Sequence, residues 1–515
     1  MSKKSGYPIV FTSSATEMSN FKGDPFRAFM GGFPQLFTKI QGYPPVEHDK
    51  SGAKYAPYGL RKIQSVLLEN GFSENDIAVS HPKYLSKYIG ENTKILAIST
   101  MDALALAYVD MTYSSFLGMG EPTNAIEFRK LLMKNRTIKK YKPKIIVGGA
   151  GAWQIANKKA MEYLGVDHVI LGEAELVAPD IFSRVMDGEH VPRIIKCKNS
   201  PTEEEIIPIK HAVIHGGVEL SRGCGRNCQF CSPTMRNRRE ISLEKIIKEV
   251  EVNIQAGNHM ITLISEDLLL YGCHNSKFIP NVEAVCELCE KIASYSSIQY
   301  IQPVHISLAA VSAAPDIIPR LTDILWDNKI DQIRGRYHIH DRQIMSAETG
   351  IETGSPRLIS KYMRGKVLPF TPEQWPEIVE QSIGILNDND WIPLASLLLD
   401  MPEETEEDTM KTLELVDDLR SYDVFLMPVL FVPLADCILR NARKPDWSKV
   451  SKASYELFCK CWEYNAETYK LDYLDNLLNK TLVSLVGGGL YLGYYRWKET
   501  RKYAKRLIMK ISDMI

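Results

Sequence analysis

Apolar and polar positions follow two rhythms along this chain. Between residues 59 and 172, short apolar runs ending in glycine or small polar residues alternate with stretches of helical periodicity. The first kind predicts buried strands and the second amphipathic helices. Helices are expected at Leu60–Asn70, Pro82–Ile89, Ile126–Lys134 and Ala156–Leu164, and strands at Ile77–Val79, Lys94–Ser99, Lys144–Gly148 and His168–Gly172. Such alternation indicates an α/β fold with a parallel, doubly wound sheet. Ligands of these sheets bind outside the carboxyl ends of the strands. Those ends carry Ser99-Thr100, Gly148-Gly149-Ala150-Gly151 and Gly172-Glu173. Residues 1–55, rich in glycine, proline and aromatics, read as irregular.

The charged, proline-flanked stretch Lys196–Pro208 reads as a linker. Beyond it the alternation resumes at Leu243–Gln255, Met260–Ile264, Val282–Tyr295, His305–Leu308, Ile344–Thr349, Trp375–Asn387 and Ile392–Leu399. This second α/β unit has the length of a barrel. From about residue 430 the pattern is helical, clearest at Tyr455–Tyr469. Three regions are expected, spanning 1–200, 205–430 and 431–515, because 515 residues exceed one ordinary core.

Composition narrows the function classes. A net charge of -1 gives no global attraction to nucleic acid or anionic membrane. The start of the chain lacks a signal peptide's apolar stretch. The most membrane-like segment, Leu482–Tyr495, is too short and glycine-rich to span a bilayer. Ten cysteines in so long a chain do not suggest a disulfide scaffold. Three of them, Cys224, Cys228 and Cys231, form a C-x-x-x-C-x-x-C string after an apolar run. Structural zinc wants four ligands, and the nearest extra one, His215, lies upstream and out of register. Three thiolates suit a [4Fe–4S] cluster with one iron left open. That requires reduced thiols, hence an anaerobic cytoplasm.

The cysteine loop, with Phe230 before its third cysteine, resembles that of the radical S-adenosylmethionine (SAM) enzymes. The resemblance implies that SAM binds the open iron and is cleaved to an adenosyl radical. It implies that Glu266 and Asp267 receive the methionine ammonium, that Glu352 binds ribose, and that Ser355 and Arg357 lie at the same strand end, with Arg357 pairing the carboxylate. The segment from Pro402 to Asp408 is similar to the family's "PGET-x-x-D" turn, with Glu403 where glycine is usual. A doubly wound domain ahead of such a barrel resembles the cobalamin-dependent, class B members. The expected architecture is then a Rossmann-like cobalamin-binding domain, a partial (β/α)6 radical SAM barrel and a small helical carboxyl-terminal domain. Ser99, Thr100, Gly148, Gly149, Gly151, Gly172 and Glu173 would contact cobalamin. The chain has no D-x-H-x-x-G string to supply a cobalt-ligating histidine, and no G-x-G-x-x-G after the first strand, which counts against NAD.

The implied activity is transfer of methyl from methylcobalamin to an unactivated sp3 carbon, with a ferredoxin-like low-potential electron donor. Segments such as ELSRGCGRNCQFC and GIETGSPRLISKYMRGK resemble those of archaeal enzymes that modify a glutamine of the methyl-coenzyme M reductase alpha subunit. Enzymes forming rings in archaeal tetraether lipids share the layout and give the alternative, in which the Gly487-Gly-Gly-Leu-Tyr-Leu segment would meet lipid.

Overall fold

In a computed structural model, residues 5–468 are described, except 36–37, 40–41, 115–119, 233–236, 327–337, 340–341 and 435–436. The amino-terminal sheet has six parallel strands: β1 (Ile9–Thr12), β2 (Ile77–Val79), β3 (Ile95–Ser99), β4 (Lys144–Gly148), β5 (His168–Leu171) and β6 (Ile194–Lys196). Their order is β2-β1-β3-β4-β5-β6. Successive side chains of a strand face opposite sides. Accordingly Val10, Leu96, Ile98, Ile145 and Val147 pack against the helices Thr123–Lys134 and Lys158–Leu164. Ile9, Phe11, Ala97 and Ile146 pack on the other face, against Tyr58–Glu69 and Ala178–Met186. The sheet is doubly wound, as the alternation predicts.

Two strands correct the reading of the sequence. β1 lies in the stretch expected to be irregular, and β6 ends on Lys196, the first residue of the expected linker, where no strand was expected. β1 pairs with both β2 and β3, placing Phe11 opposite Ala97. It is fully buried, and its four residues are too few for periodicity to show. β6 is a half-exposed edge strand bonded to β5.

The second unit holds two parallel triplets. β7 (Gly217–Glu219), β10 (Met260–Ile264) and β11 (Tyr300–Pro303) form one; β14 (Glu348–Glu352), β15 (Leu394–Leu399) and β16 (Phe425–Leu430) form the other. Two short antiparallel pairs interrupt this order: β8 (Ser221–Arg222) with β9 (Arg239–Glu240), between β7 and β10, and β12 (His338–Ile339) with β13 (Arg342–Gln343), between β11 and β14. The triplets join where His305 pairs with Glu348: Glu348 N–H donates to the Val304 carbonyl at 2.7 Å and Ile306 N–H to the Glu348 carbonyl at 3.0 Å. The result is a six-stranded partial barrel. The strand expected at His305–Leu308 lies five residues earlier, and Leu308 begins a helix, Leu308–Ala313. The strand expected at Ile344–Thr349 lies at Glu348–Glu352. Lone apolar residues among polar ones gave false ends in both places.

One apolar cluster runs through the barrel and its helices, with Cys289 of the helix Val282–Ala293 inside it. The helix Lys452–Thr468 joins that same cluster through Tyr455, Leu457, Phe458, Cys461 and Tyr464. The segment around Gly487 lies outside the described residues. No helix among the described residues is long and apolar enough to cross a membrane.

Candidate functional site

The cysteine loop leaves β8 through a run of left-handed residues, Gly223 (φ 73°), Gly225 (φ 78°) and Asn227 (φ 57°). Glycine and asparagine tolerate this region, which lets the chain coil tightly around Cys224, Cys228 and Cys231. Arg226 anchors the coil. Its buried guanidinium donates to the carbonyls of Gly365 (3.2 Å) and Lys366 (3.1 Å), to Ser307 Oγ (3.0 Å) and to Asp267 Oδ2 (3.4 Å), and it stacks 4.8 Å from the centre of the Phe278 ring. Gly365 must be glycine, because a Cβ there would overlap the Arg226 carbonyl oxygen. Gln229 N–H donates to the Tyr362 carbonyl at 2.8 Å. Phe230 is buried in the barrel's apolar cluster.

Burial raises the thiols of Cys224 and Cys228, the latter to about 12, against the lowering pull of Arg226 on Cys224 and of Lys366 on Cys228. The protein's own cations do not ionise these thiols; a bound metal centre would have to. Among the described residues no three His, Cys, Asp or Glu side chains converge on a point suited to a single ion. A single-ion site needs such convergence, whereas a cubane spreads its ligands over its corners. Two buried polar atoms nearby, Arg226 Nε and Ser265 Oγ, have no hydrogen-bond partner among the described residues. Orphans of this kind are rare, and they fit a site made to receive a polar ligand.

The expected SAM residues separate into two groups. Glu266, just past β10, is half-buried and close enough to raise the Cys224 thiol and the His305 imidazole. Glu352 is buried and held in the left-handed region (φ 66°) by a bulge in β14. Lys366 Nζ donates to its Oε1 at 3.1 Å and Ser396 Oγ to its Oε2 at 3.3 Å. These carboxylates face the cysteine side of the barrel mouth.

The others are engaged elsewhere. Asp267 Oδ1 accepts from the N–H groups of Leu269 and Ser307, each at 3.2 Å, so it caps a turn. Ser355 caps the helix Pro356–Tyr362, and its hydroxyl donates to Asp408 Oδ1 at 2.5 Å. Arg357 is half-exposed and paired with Asp408, donating also to the Glu403 carbonyl at 2.8 Å. Glu403 adopts the left-handed conformation (φ 56°) that glycine would take without strain. The turn is thus kept despite the residue change, and Thr405 and Asp408 form a capping box on the next helix, Glu406–Asp418.

At the carboxyl ends of β3, β4 and β5 opens a cavity of about 620 Å³. Its floor is apolar, with Phe11, Ala97, Ile146, Ile170 and Phe182, and Ser99, Gly148, Gly149, Gly172 and Glu173 stand among its lining. Gly149 (φ 92°) is required because a Cβ would come within 2.7 Å of the Thr100 carbonyl oxygen. Thr100 and Gly151 are not in the lining. The Thr100 hydroxyl is buried and donates to Glu17 Oε1 at 3.2 Å; a Cβ on Gly151 would meet the Met101 backbone.

The barrel closes one wall of this cavity with Glu219 and Arg222. Arg222 binds Glu219 through two nitrogens, both at 2.9 Å, and reaches Glu175 at 2.6 Å and Glu173 at 3.3 Å. Arg239 grips Glu173 at 2.7 and 2.8 Å. Beside them, Lys62 pairs with Glu249 at 2.8 Å, and the Tyr58 hydroxyl lies 3.0 Å from Glu249 Oε2 and 3.3 Å from Glu219 Oε2. The sequence reading missed Arg222, Arg226, Lys366 and His305. Two arginines flanking the first cysteine were the available signal.

A family model for the radical SAM superfamily matches residues 218–416. The tRNA-2-methylthio-N(6)-dimethylallyladenosine synthase of Thermotoga petrophila is 24% identical over 281 residues, covering 54% of this chain and 57% of that protein. The corresponding enzyme of Thermodesulfovibrio yellowstonii is 24% identical over 310 residues, 58% of this chain and 62% of that protein. The chain thus spans less than two thirds of these curated relatives. Among solved structures, the radical SAM methyltransferase TsrM from Kitasatospora setae, with tryptophan substrate and the SAM analogue aza-SAM bound, superposes with a TM-score of 0.52 at 13% identity, covering 85% of this chain and 78% of that one. TsrM with cobalamin and a [4Fe–4S] cluster gives the same score over 84% and 74%. At that identity the likeness is one of fold. The match over residues 218–416 is to a superfamily whose domains work with a [4Fe–4S] cluster and SAM.

Proposed function

We propose that the protein is a cobalamin-dependent radical SAM methyltransferase acting on an unactivated sp3 carbon. The observation that carries the reading is the 620 Å³ cavity at the strand ends of the amino-terminal sheet, walled on one side by the strand that leads into the cysteine loop. An apolar floor with a glycine rim suits a flat aromatic base carried on a phosphate-linked tail. When bound, the cluster delivers an electron to SAM and cobalamin supplies a methyl group.

The chain's own part is binding and orientation. Cys224, Cys228 and Cys231 would hold the cluster. Glu266 would receive the methionine ammonium, and Glu352, its carboxylate fixed by Lys366 and Ser396, would bind ribose hydroxyls. Phe230 and its apolar surroundings keep water from the loop. Ser355, Arg357 and Asp267 serve the scaffold in this reading. Ser99, Gly148, Gly149, Gly172 and Glu173 would border cobalamin, while Thr100 and Gly151 stand behind the rim and shape it.

The acceptor carried over from the sequence resemblance is a glutamine side chain of methyl-coenzyme M reductase. Methylthio transfer, the chemistry named for the curated relatives, needs a sulfur source as well. The sequence before the cysteine loop holds a single cysteine, Cys197, which favours plain methyl transfer. Full-length protein reconstituted anaerobically with iron and sulfide should bind SAM and one hydroxocobalamin and, given excess SAM and a low-potential reductant such as dithionite, should add one methyl to a glutamine-containing substrate peptide by mass spectrometry. Binding of SAM without hydroxocobalamin would remove the cobalamin reading, and modification of lipid extracts alone would replace the acceptor.

A further inference from the structure

The cysteine loop is held by the amino-terminal half of the chain at both of its flanks. On the entry side, Arg222 stands two residues before Cys224 and is bonded to Glu173 and Glu175, in the loop after β5. All three side chains are at most 8% exposed. On the exit side, the Tyr108 hydroxyl donates to the Phe230 carbonyl at 3.0 Å. Tyr108 belongs to the segment that follows β3, and further along it the Tyr113 hydroxyl donates to the Pro428 carbonyl at 2.9 Å and Thr112 Oγ accepts from Leu430 N–H at 2.8 Å. Glu173, Glu175 and Arg222 also line the cavity. The loop after β5 therefore both borders the cavity and holds the entry to the cysteine loop, while the segment that continues β3 beyond the cavity-lining Ser99 holds its exit.

We propose that Arg222 and Tyr108 are positioning residues that make the cavity and the cysteine loop one mechanical unit, so that filling the cavity fixes where the loop sits. The inference rests on the reading of the cavity as the cobalamin pocket. Its physical basis is the geometry of the Arg222 guanidinium. A planar fork bonded to three carboxylates cannot shift toward one without lengthening its bonds to the others. A ligand that settles against Glu173 and Glu175 therefore restrains the strand end on which Arg222 lies. Tyr108 supplies the matching restraint beyond Cys228, so the loop cannot pivot about its first cysteine.

The test is backbone hydrogen exchange in residues 221–231 of the full-length protein carrying its cluster, with and without hydroxocobalamin. In the wild type, hydroxocobalamin should slow exchange in this loop by about threefold or more, and it should shift the electron paramagnetic resonance signal of the reduced cluster. Arg222→Lys keeps the charge but not the fork; because Arg222 lines the cavity, the variant is compared at hydroxocobalamin concentrations that saturate it, where it should lose most of the slowing and the spectral shift. Tyr108→Phe deletes one hydroxyl without stranding a charge, and should lose the slowing at the Phe230 end alone. Hydroxocobalamin bound with no change in loop exchange, or variants that keep the full effect, would overturn the proposal. If the wild type binds no hydroxocobalamin, the cobalamin reading fails on its own. The grip is then judged without ligand, where Arg222→Lys should raise loop exchange about threefold and an unchanged rate would refute it.

Discussion

Both candidate sites are carboxyl ends of parallel strands, yet they are made in opposite ways. The amino-terminal cavity is made by leaving side chains out. Gly148, Gly149 and Gly172 open its rim, and its floor is the apolar face of the sheet itself. The barrel mouth is made by putting side chains in: three thiols, two carboxylates and the cations Arg226 and Lys366 that fix them. A site made by omission depends on backbone conformation, and one made by addition depends on side-chain chemistry. The two should therefore fail differently when altered.

The largest effect is expected at the thiols. Cys228→Ala should abolish the iron–sulfur absorption and the reductive cleavage of SAM, read as 5′-deoxyadenosine, while hydroxocobalamin still binds. Loss of both ligands together would erase the distinction between the sites. Next comes the seam between them. Arg222→Met leaves Glu173, Glu175 and Glu219 facing one another without their shared cation. Removing one partner of a buried pair costs about 3–5 kcal/mol, which calorimetry would register as a large fall in melting temperature. Gly149→Ala tests the cavity. A left-handed alanine costs about 1–2 kcal/mol, and contact with the Thr100 backbone at 2.7 Å adds to it. Hydroxocobalamin affinity should fall about tenfold or more with iron content unchanged.

A smaller effect concerns pH. Contact with Glu348 at 3.3 Å raises His305 to about 9 despite the opposing cost of its burial. A raised imidazole contributes stability that is complete below about pH 6.5 and is lost as pH rises through 9. The melting temperature should decline across that window, and His305→Gln should flatten the decline. Smallest of all is Arg357→Met. Its partner Asp408 lies well below the usual carboxylate range, held there by Arg357, Ser355 and Thr405. Arg357 is half-exposed but Asp408 is buried; Ser355 and Thr405 still donate to that carboxylate, so the loss costs about 1–2 kcal/mol, and SAM affinity should stay within about twofold. A hundredfold loss would return Arg357 to the cofactor.

How much of this was readable from sequence follows the same division. The three thiols were legible because three cysteines at short spacing stand out in any sequence, whereas Glu266 and Glu352 were candidates only through the family resemblance. The glycine rim was legible because strands running into glycine mark close backbone approach. Ser355 and Arg357 sit at the right strand end but turn toward Asp408, 51 residues further on from Arg357, a partner that spacing cannot reveal. Arg222 escaped for a related reason: its partners Glu173 and Glu175 belong to the other sheet, and only the folded juxtaposition makes them one network. β1 escaped because four buried residues flanked by Tyr7, Pro8 and a polar run carry no period.

The wall of the barrel is two three-stranded panels hinged along a short seam. Each panel is internally laddered, with six residue pairs joining β15 and β16, whereas between β11 and β14 the described residues give a single bridge, His305 with Glu348. At that seam the His305 imidazole and the Glu348 carboxylate add a side-chain contact at 3.3 Å to the backbone bridge, and the helices Leu308–Ala313 and Trp375–Asp388 carry the shared apolar core behind it.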